Sequence, residues 1–243
     1  VDDPLYYAVF RALVVALGRT RPARPELVLV RSANGAVGPG LAQGLFRSAP
    51  VAMRFARQWQ NAWADLAATV AYRSRDLSHP LGDFLDLLRS WREWRGLRET
   101  PDISGLAIDG IVVGDLLIDS YLRLRPSADF RPEDRFLVRL LWQVRRDLRR
   151  ARRYFGRRPP DLYLTSYSTY IEHGIAVRVA LAHGVPVRSF GNFVQIGKPL
   201  SLADPYHTAN CDHYRREFEA LPDPQAAAAE AEQKLLVRLN GGI

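Results

Sequence analysis

Three stretches of the sequence gather side chains able to move a proton or hold a charge. The first, SYSTYIEHG at 166–174, follows an apolar run and opens a helix. Thr169 and Glu172 have the T-x-x-E spacing of a capping box, which gives Glu172 a structural role, with a substrate-facing role as the alternative. The cap does not use His173. Its imidazole lies in the first helical turn, where the helix dipole favours the neutral ring, and a neutral ring can take a proton from a hydroxyl nucleophile. The second stretch, DGIVVGDLLIDSYLR at 109–123, puts Asp115, Asp119 and Arg123 four residues apart on one helix face. One reading is a surface ion pair from Asp119 to Arg123. The other places Asp115, beside Gly114 at the helix start, in a cleft as a base or an orienter of substrate hydroxyls. The third group is Asp204, Tyr206 and His207. No pair of histidines has metal-ligand spacing, so no metal is expected.

The elements that must position these groups follow from pattern. Helices are expected at about 4–18, 40–47, 51–72, 81–94 and 112–124, with Ile111 to Val113 able to end a short strand. Further helices are expected at 170–182, 204–221 and 226–239. Strands are expected at 26–32, 161–166 and 185–190. The run 161–190 is strand, helix and strand with short joints, with Gly184 as the helix stop, which is the βαβ unit of a parallel sheet. The three strands should therefore lie parallel in one open sheet flanked by helices, an α/β, Rossmann-like arrangement in a single domain over 1–243. Such sheets bind ligands at the carboxyl ends of their strands, which points to loops 32–40, 166–170 and 190–198. Loop 33–40 reads ANGAVGPG, but its glycines are out of order for a dinucleotide loop and Pro39 interrupts them, so a tight turn is the simpler reading. His173, Asp115 and the loop after Ser32 should line one cleft. Arg31, Ser32, Asn34, Asp119, Tyr121, Ser166, Glu172 and His207 are the substrate-binding candidates.

Charge is concentrated in one segment. Residues 131–160 hold eleven Arg against Glu133, Asp134 and Asp147, an excess that accounts for the whole net charge of +8. Leu137, Leu141, Val144, Leu148, Ala151 and Phe155 form an apolar helical stripe. Arg139, Arg146, Arg150, Arg153 and Arg157 form a second stripe roughly opposite, expected to be exposed because unpaired guanidinium groups are too costly to bury. That stripe reads either as a solvated face or as a dock for an anionic membrane or polyanion. At 243 residues with 47% hydrophobic and 25% charged residues, the chain is globular rather than disordered. No apolar run approaches the ~20 residues that span a bilayer. The single cysteine, Cys211, excludes an internal disulfide and fits a reducing, cytoplasmic setting, and the absence of an initial Met suggests a piece of a longer protein.

The stretches at 109–123 and 161–187 resemble bacterial capsule and surface-polysaccharide biosynthesis proteins that are glycosyltransferases of the two-Rossmann-domain (GT-B) type. The likeness spans about 105–243 and more faintly 26–50. It implies the amino-terminal, acceptor-side half of such an enzyme. A nucleotide sugar would be co-substrate, a glycan or lipid-linked molecule the acceptor, His173 or Asp115 the base, and no further cofactor would be needed. A second domain would supply most nucleotide-sugar contacts, and the Arg stripe would hold the enzyme at the inner face of the membrane. The rival reading is a non-catalytic module whose Arg stripe engages nucleic acid, membrane or a partner protein through phosphate contacts without base readout.

Overall fold

The computed structural model describes residues 4–20, 25–29, 69–73, 80–100, 102–125, 127–190, 198–208, 215–216 and 218–241. Along the chain these form α1 (Pro4–Thr20), β1 (Glu26–Leu29), β2 (Thr69–Arg73), α2 (Pro80–Leu97), β3 (Ala107–Ile108), β4 (Ile111–Val112), α3 (Gly114–Leu124) and α4 (Phe136–Arg157). Then come β5 (Tyr163–Thr165), α5 (Tyr170–Ala182), β6 (Val187–Ser189), β7 (Lys198–Leu200) and α6 (Pro224–Leu239). The result is a mixed α/β chain organised as two compact units, Val1–His207 and Thr208–Ile243. Among the described residues no helix is long and apolar enough to cross a membrane.

Helix α4 is central to the first unit. The Asp134 carboxylate accepts the Phe136 backbone N–H at 2.8 Å and so satisfies a donor that the first turn leaves open. The whole expected apolar stripe, Leu137 to Phe155, is buried, and it packs with Ile171, Ile175 and Val179 of α5 in one core cluster. The opposite side of α4 is covered as well, by α2. The expectation that the Arg stripe is exposed therefore fails in part. Arg146 is only 5% exposed, Arg139 and Arg150 are partly buried, and Arg153 and Arg157 remain on the surface. The physical reason lies in α2, which turns Asp83, Asp86 and Glu93 inward. Arg146 lies 3.1 Å from the Asp83 carboxylate, Arg149 pairs with Asp83 and lies 3.1 Å from Asp86, and Arg145 lies 2.6 Å from Glu93. Burial becomes tolerable once the charges are matched. Burial, followed by the neighbouring Asp83 charge, raises the Asp86 carboxyl above its ordinary range even so.

The βαβ unit is present. β5 and β6 pair in parallel, Tyr163 opposite Val187 and Thr165 opposite Ser189. α5 ends in a Schellman motif: Val185 N–H bonds the Ala180 carbonyl, Gly184 N–H bonds that of Leu181, and Gly184 takes φ +72°. Three expectations are corrected. β1 pairs in parallel with β2 in a separate two-stranded sheet rather than joining β5 and β6. The end of the expected helix 51–72 is β2, whose Thr-Val-Ala-Tyr-Arg sequence carries the β-branched and aromatic residues that strands favour. Residues 204–208 are not helical: Pro205 interrupts the run, and Ser201 and Asp204 close a turn by reciprocal bonds of 3.0 and 3.1 Å. That turn follows β7, which adds antiparallel to β6. The expected loop 33–40, the helix at 40–47 and the first part of 51–72 lie outside the described residues.

Candidate functional site

Helices α3 and α5 carry the first two motifs, and their ion pairs join the start of each helix to the far half of the other. Asp115 meets Arg178, Ser120 Oγ accepts the Ile171 N–H at 3.0 Å, and Arg123 meets Glu172 at 3.1 Å. The helices are thus antiparallel and very close. A Cβ on Gly174 would lie 2.5 Å from the Leu116 side chain and 2.5 Å from the Ser168 carbonyl oxygen. Gly114 is equally constrained, since a Cβ there would lie 1.7 Å from the Ile103 carbonyl. β3 and β4 deliver the chain to that point through an Asp109-Gly110 turn with φ of 50° and 79°, the backbone of a two-residue type I′ hairpin.

The Asp115 carboxylate is fully engaged. Arg178 donates to it in bidentate fashion at 2.7 and 2.5 Å, and the Tyr206 hydroxyl donates to Oδ2 at 2.7 Å. Arg178 also donates to the Val112 carbonyl at 2.6 Å, tying α5 to β4. Burial pushes the Asp115 carboxyl up, but the Arg178 and Tyr206 bonds and the guanidinium charge outweigh it and hold the carboxyl below its usual range. Such a carboxylate is a poor base and a good anchor. One turn on, Asp119 contrasts with it: burial and the Asp115 charge raise its carboxyl, and among the described residues nothing hydrogen-bonds it.

At the other end of α5, Thr169 makes no side-chain cap bond, so the expected capping box is absent. Glu172 is buried against Arg123 instead, and Arg123 stacks over Tyr170 at 4.4 Å. The surface pair expected between Asp119 and Arg123 is replaced by this one. Tyr170 enters the helix at φ +62°, left-handed backbone that a bulky residue rarely adopts. The ring of Tyr167 lies 5.8 Å from His173 and 4.9 Å from His207. His207 is pinned: its backbone N–H donates to Ser168 Oγ at 2.6 Å, and the Ser168 backbone N–H donates to its Nδ1 at 3.3 Å, which assigns the ring proton to Nε2. Lys198 supports the turn from beneath, donating to the Tyr206 carbonyl and the Asp204 carboxylate, each at 2.8 Å. Burial, then the charge of Lys198, depresses the His207 imidazole. Burial chiefly, with the charges of Arg123 and His207 adding, lowers His173 to about 4. His173 is therefore neutral at pH 7, and among the described residues its imidazole has no hydrogen-bond partner.

Of the candidates expected from sequence, Asp115, Asp119, Glu172, His173 and His207 belong to this α3–α5 seam and the turn against it. Ser166 is buried at the end of β5. Tyr121 is not at the site: it is 1% exposed in the core, its hydroxyl donating to Asp134 at 3.1 Å. Arg31, Ser32 and Asn34 lie outside the described residues. The pattern reading missed Tyr167, Ser168 and Arg178. Arg178 carried a signal, being the only charge in the otherwise apolar run Gly174–Ala182. Comparison of the chain with protein-family models, curated proteins and solved structures finds no match.

Proposed function

We propose that the chain is the acceptor-side, Rossmann-like domain of a GT-B-type glycosyltransferase of bacterial surface-polysaccharide synthesis, with His173 as general base. The observation that carries this reading is the neutral His173 imidazole, without a hydrogen-bond partner among the described residues, at the head of α5 just beyond the carboxyl end of β5. There it accepts the proton of an acceptor hydroxyl. The oxygen bonds the anomeric carbon of the nucleotide sugar as the bond to the nucleoside diphosphate breaks. His207 and Tyr167 form the wall beside the imidazole. Asp115, saturated by Arg178 and Tyr206, positions the helix pair rather than accepting a proton.

The rival reading, a module that binds through the Arg stripe, loses support because Arg146 is buried and matched by Asp83. The test is nucleoside diphosphate release by the full-length protein with an acceptor present. His173→Ala lowers turnover by about 10²-fold or more with unchanged circular dichroism. The wild-type rate stays flat down to about pH 5, because the base titrates near 4. Near-normal turnover in folded His173→Ala removes the imidazole from the mechanism.

A further inference from the structure

Helix α2 buries its carboxylates and leaves much of its apolar surface outside. Its acidic residues, Asp83, Asp86 and Glu93, all turn toward α4, where they match the guanidinium groups of Arg145, Arg146 and Arg149. Ser90 shares that buried face. The spacing of 83, 86, 90 and 93 is three, four and three, so a polar stripe runs inward beside the buried Trp94 and the partly buried Leu87 and Leu97. The outward face is apolar: Leu81 is 72% exposed, Phe84 56%, and Leu85, Leu88 and Trp91 are each exposed by more than two-fifths. Arg89, Arg92 and Arg95 are exposed along the same side, and α2 has no carboxylate there.

We propose that this outward face of α2 is a contact surface for an anionic lipid bilayer, with the helix lying in the plane of the interface. This assignment is independent of the transferase reading. Three observations favour a bilayer over other occupants. An apolar stripe containing Trp and Phe and accompanied by Arg is the composition of helices that rest at the headgroup boundary. The three guanidinium groups complement phosphate-bearing headgroups, and α2 itself places no carboxylate on that outward face. A second copy of the chain is a poor occupant, because two such faces would bring six guanidinium groups together without a carboxylate. The helix lies on the membrane rather than entering it, since its other face is committed to α4.

The test is cosedimentation of the protein with phosphatidylcholine vesicles, and with vesicles of phosphatidylcholine mixed with phosphatidylglycerol. Binding is expected only to the mixed vesicles and to weaken as salt rises. Replacing Arg89, Arg92 and Arg95 together with Gln should weaken it roughly a hundredfold. The double variant Leu85→Gln/Leu88→Gln should weaken it tenfold or more, whereas Arg153→Gln/Arg157→Gln on α4 should change it little. Brominated lipid should quench the fluorescence of the unaltered protein and quench Trp91→Phe less, a readout that does not depend on the Leu variants folding. The proposal is overturned by equal binding to both vesicle types, by absence of binding, or by wild-type binding in the double Leu variant. It is also overturned if the double Leu variant abolishes self-association instead, which would make a second copy the occupant.

Discussion

Two helix pairs in this molecule use the same ions in opposite ways. Between α2 and α4 the Arg and carboxylate groups are the seam itself, with Asp83 flanked by Arg146 and Arg149 and within 3.9 Å of Arg150. Between α3 and α5 the ion pairs stand at the two ends, Asp115 with Arg178 and Glu172 with Arg123, while the middle closes on Gly174 and Leu116. In the first seam each carboxylate lies beside at least one guanidinium, yet among the described residues Asp86 Oδ2 and the Nε atoms of Arg145, Arg146 and Arg149 make no hydrogen bond. In the second, the pinned ends fix a register and, among the described residues, leave two titratable groups, Asp119 and His173, without hydrogen bonds. The first seam keeps one group poised to titrate, Asp86, whose carboxyl is raised by burial. The α3–α5 seam is the one on which the proposed transferase reading rests.

The largest effect should come from breaking the first seam. Asp83→Asn leaves three nearby guanidinium groups short of a buried counter-charge and should cost about 3 kcal/mol or more, read from the urea midpoint. Asp115→Asn should cost less, since Asp115 is partly solvent-exposed. A smaller loss at Asp83 than at Asp115 would reverse the comparison. Next, Gly174→Ala drives a methyl into Leu116 and the Ser168 carbonyl and should cost about 1–3 kcal/mol by overpacking. Gly156→Ala, whose Cβ would meet only His183 at 3.4 Å, serves as the near-neutral control.

A pH titration of stability sharpens the contrast further. The unfolded imidazoles of His173 and His207 take up protons near 6.5, whereas the folded ones resist, His173 down to about 4. The unfolded state thus binds more protons between about 4 and 6.5, and stability falls as pH falls through that window. Asp119 and Asp86, with raised carboxyls, act with the opposite sign as they protonate in the folded state. The difference between wild type and His173→Gln isolates the imidazole, whose partial exposure should limit it to about 1 kcal/mol. A wild-type slope retained in His173→Gln would show that His173 is not held neutral. The smallest effect is the reference case. Lys234→Gln removes an exposed pair with Glu230 and should change stability by no more than about 0.5 kcal/mol.

Much of this arrangement was legible along the chain, and what was not has a common cause. The apolar stripe of α4 and the β5–α5–β6 unit repeat with the period of their own backbone, so local pattern suffices. The fate of the Arg stripe depends on α2, expected only as a helix over 81–94, whose acids at 83, 86 and 93 turn inward onto α4. The two site motifs were visible, but their partners were not. Glu172 has the spacing of a cap and yet bonds Arg123, forty-nine residues away. Arg178 has no local partner, and its purpose appears only when Asp115 is brought beside it. The turn at Tyr206 hinged on Pro205, which sat inside an expected helix.

The matched seam between α2 and α4 also bears on how the molecule responds to heat. Charged groups lose hydration free energy as temperature rises, so the cost of keeping Asp83, Asp86, Arg145 and Arg146 out of water shrinks on warming. Apolar burial gains no comparable advantage. The helix joined to α4 by ions should therefore hold to higher temperature than its exposed apolar face would suggest. Amide exchange in Ser90 and its neighbours, followed during a thermal ramp, should slow relative to that of α5.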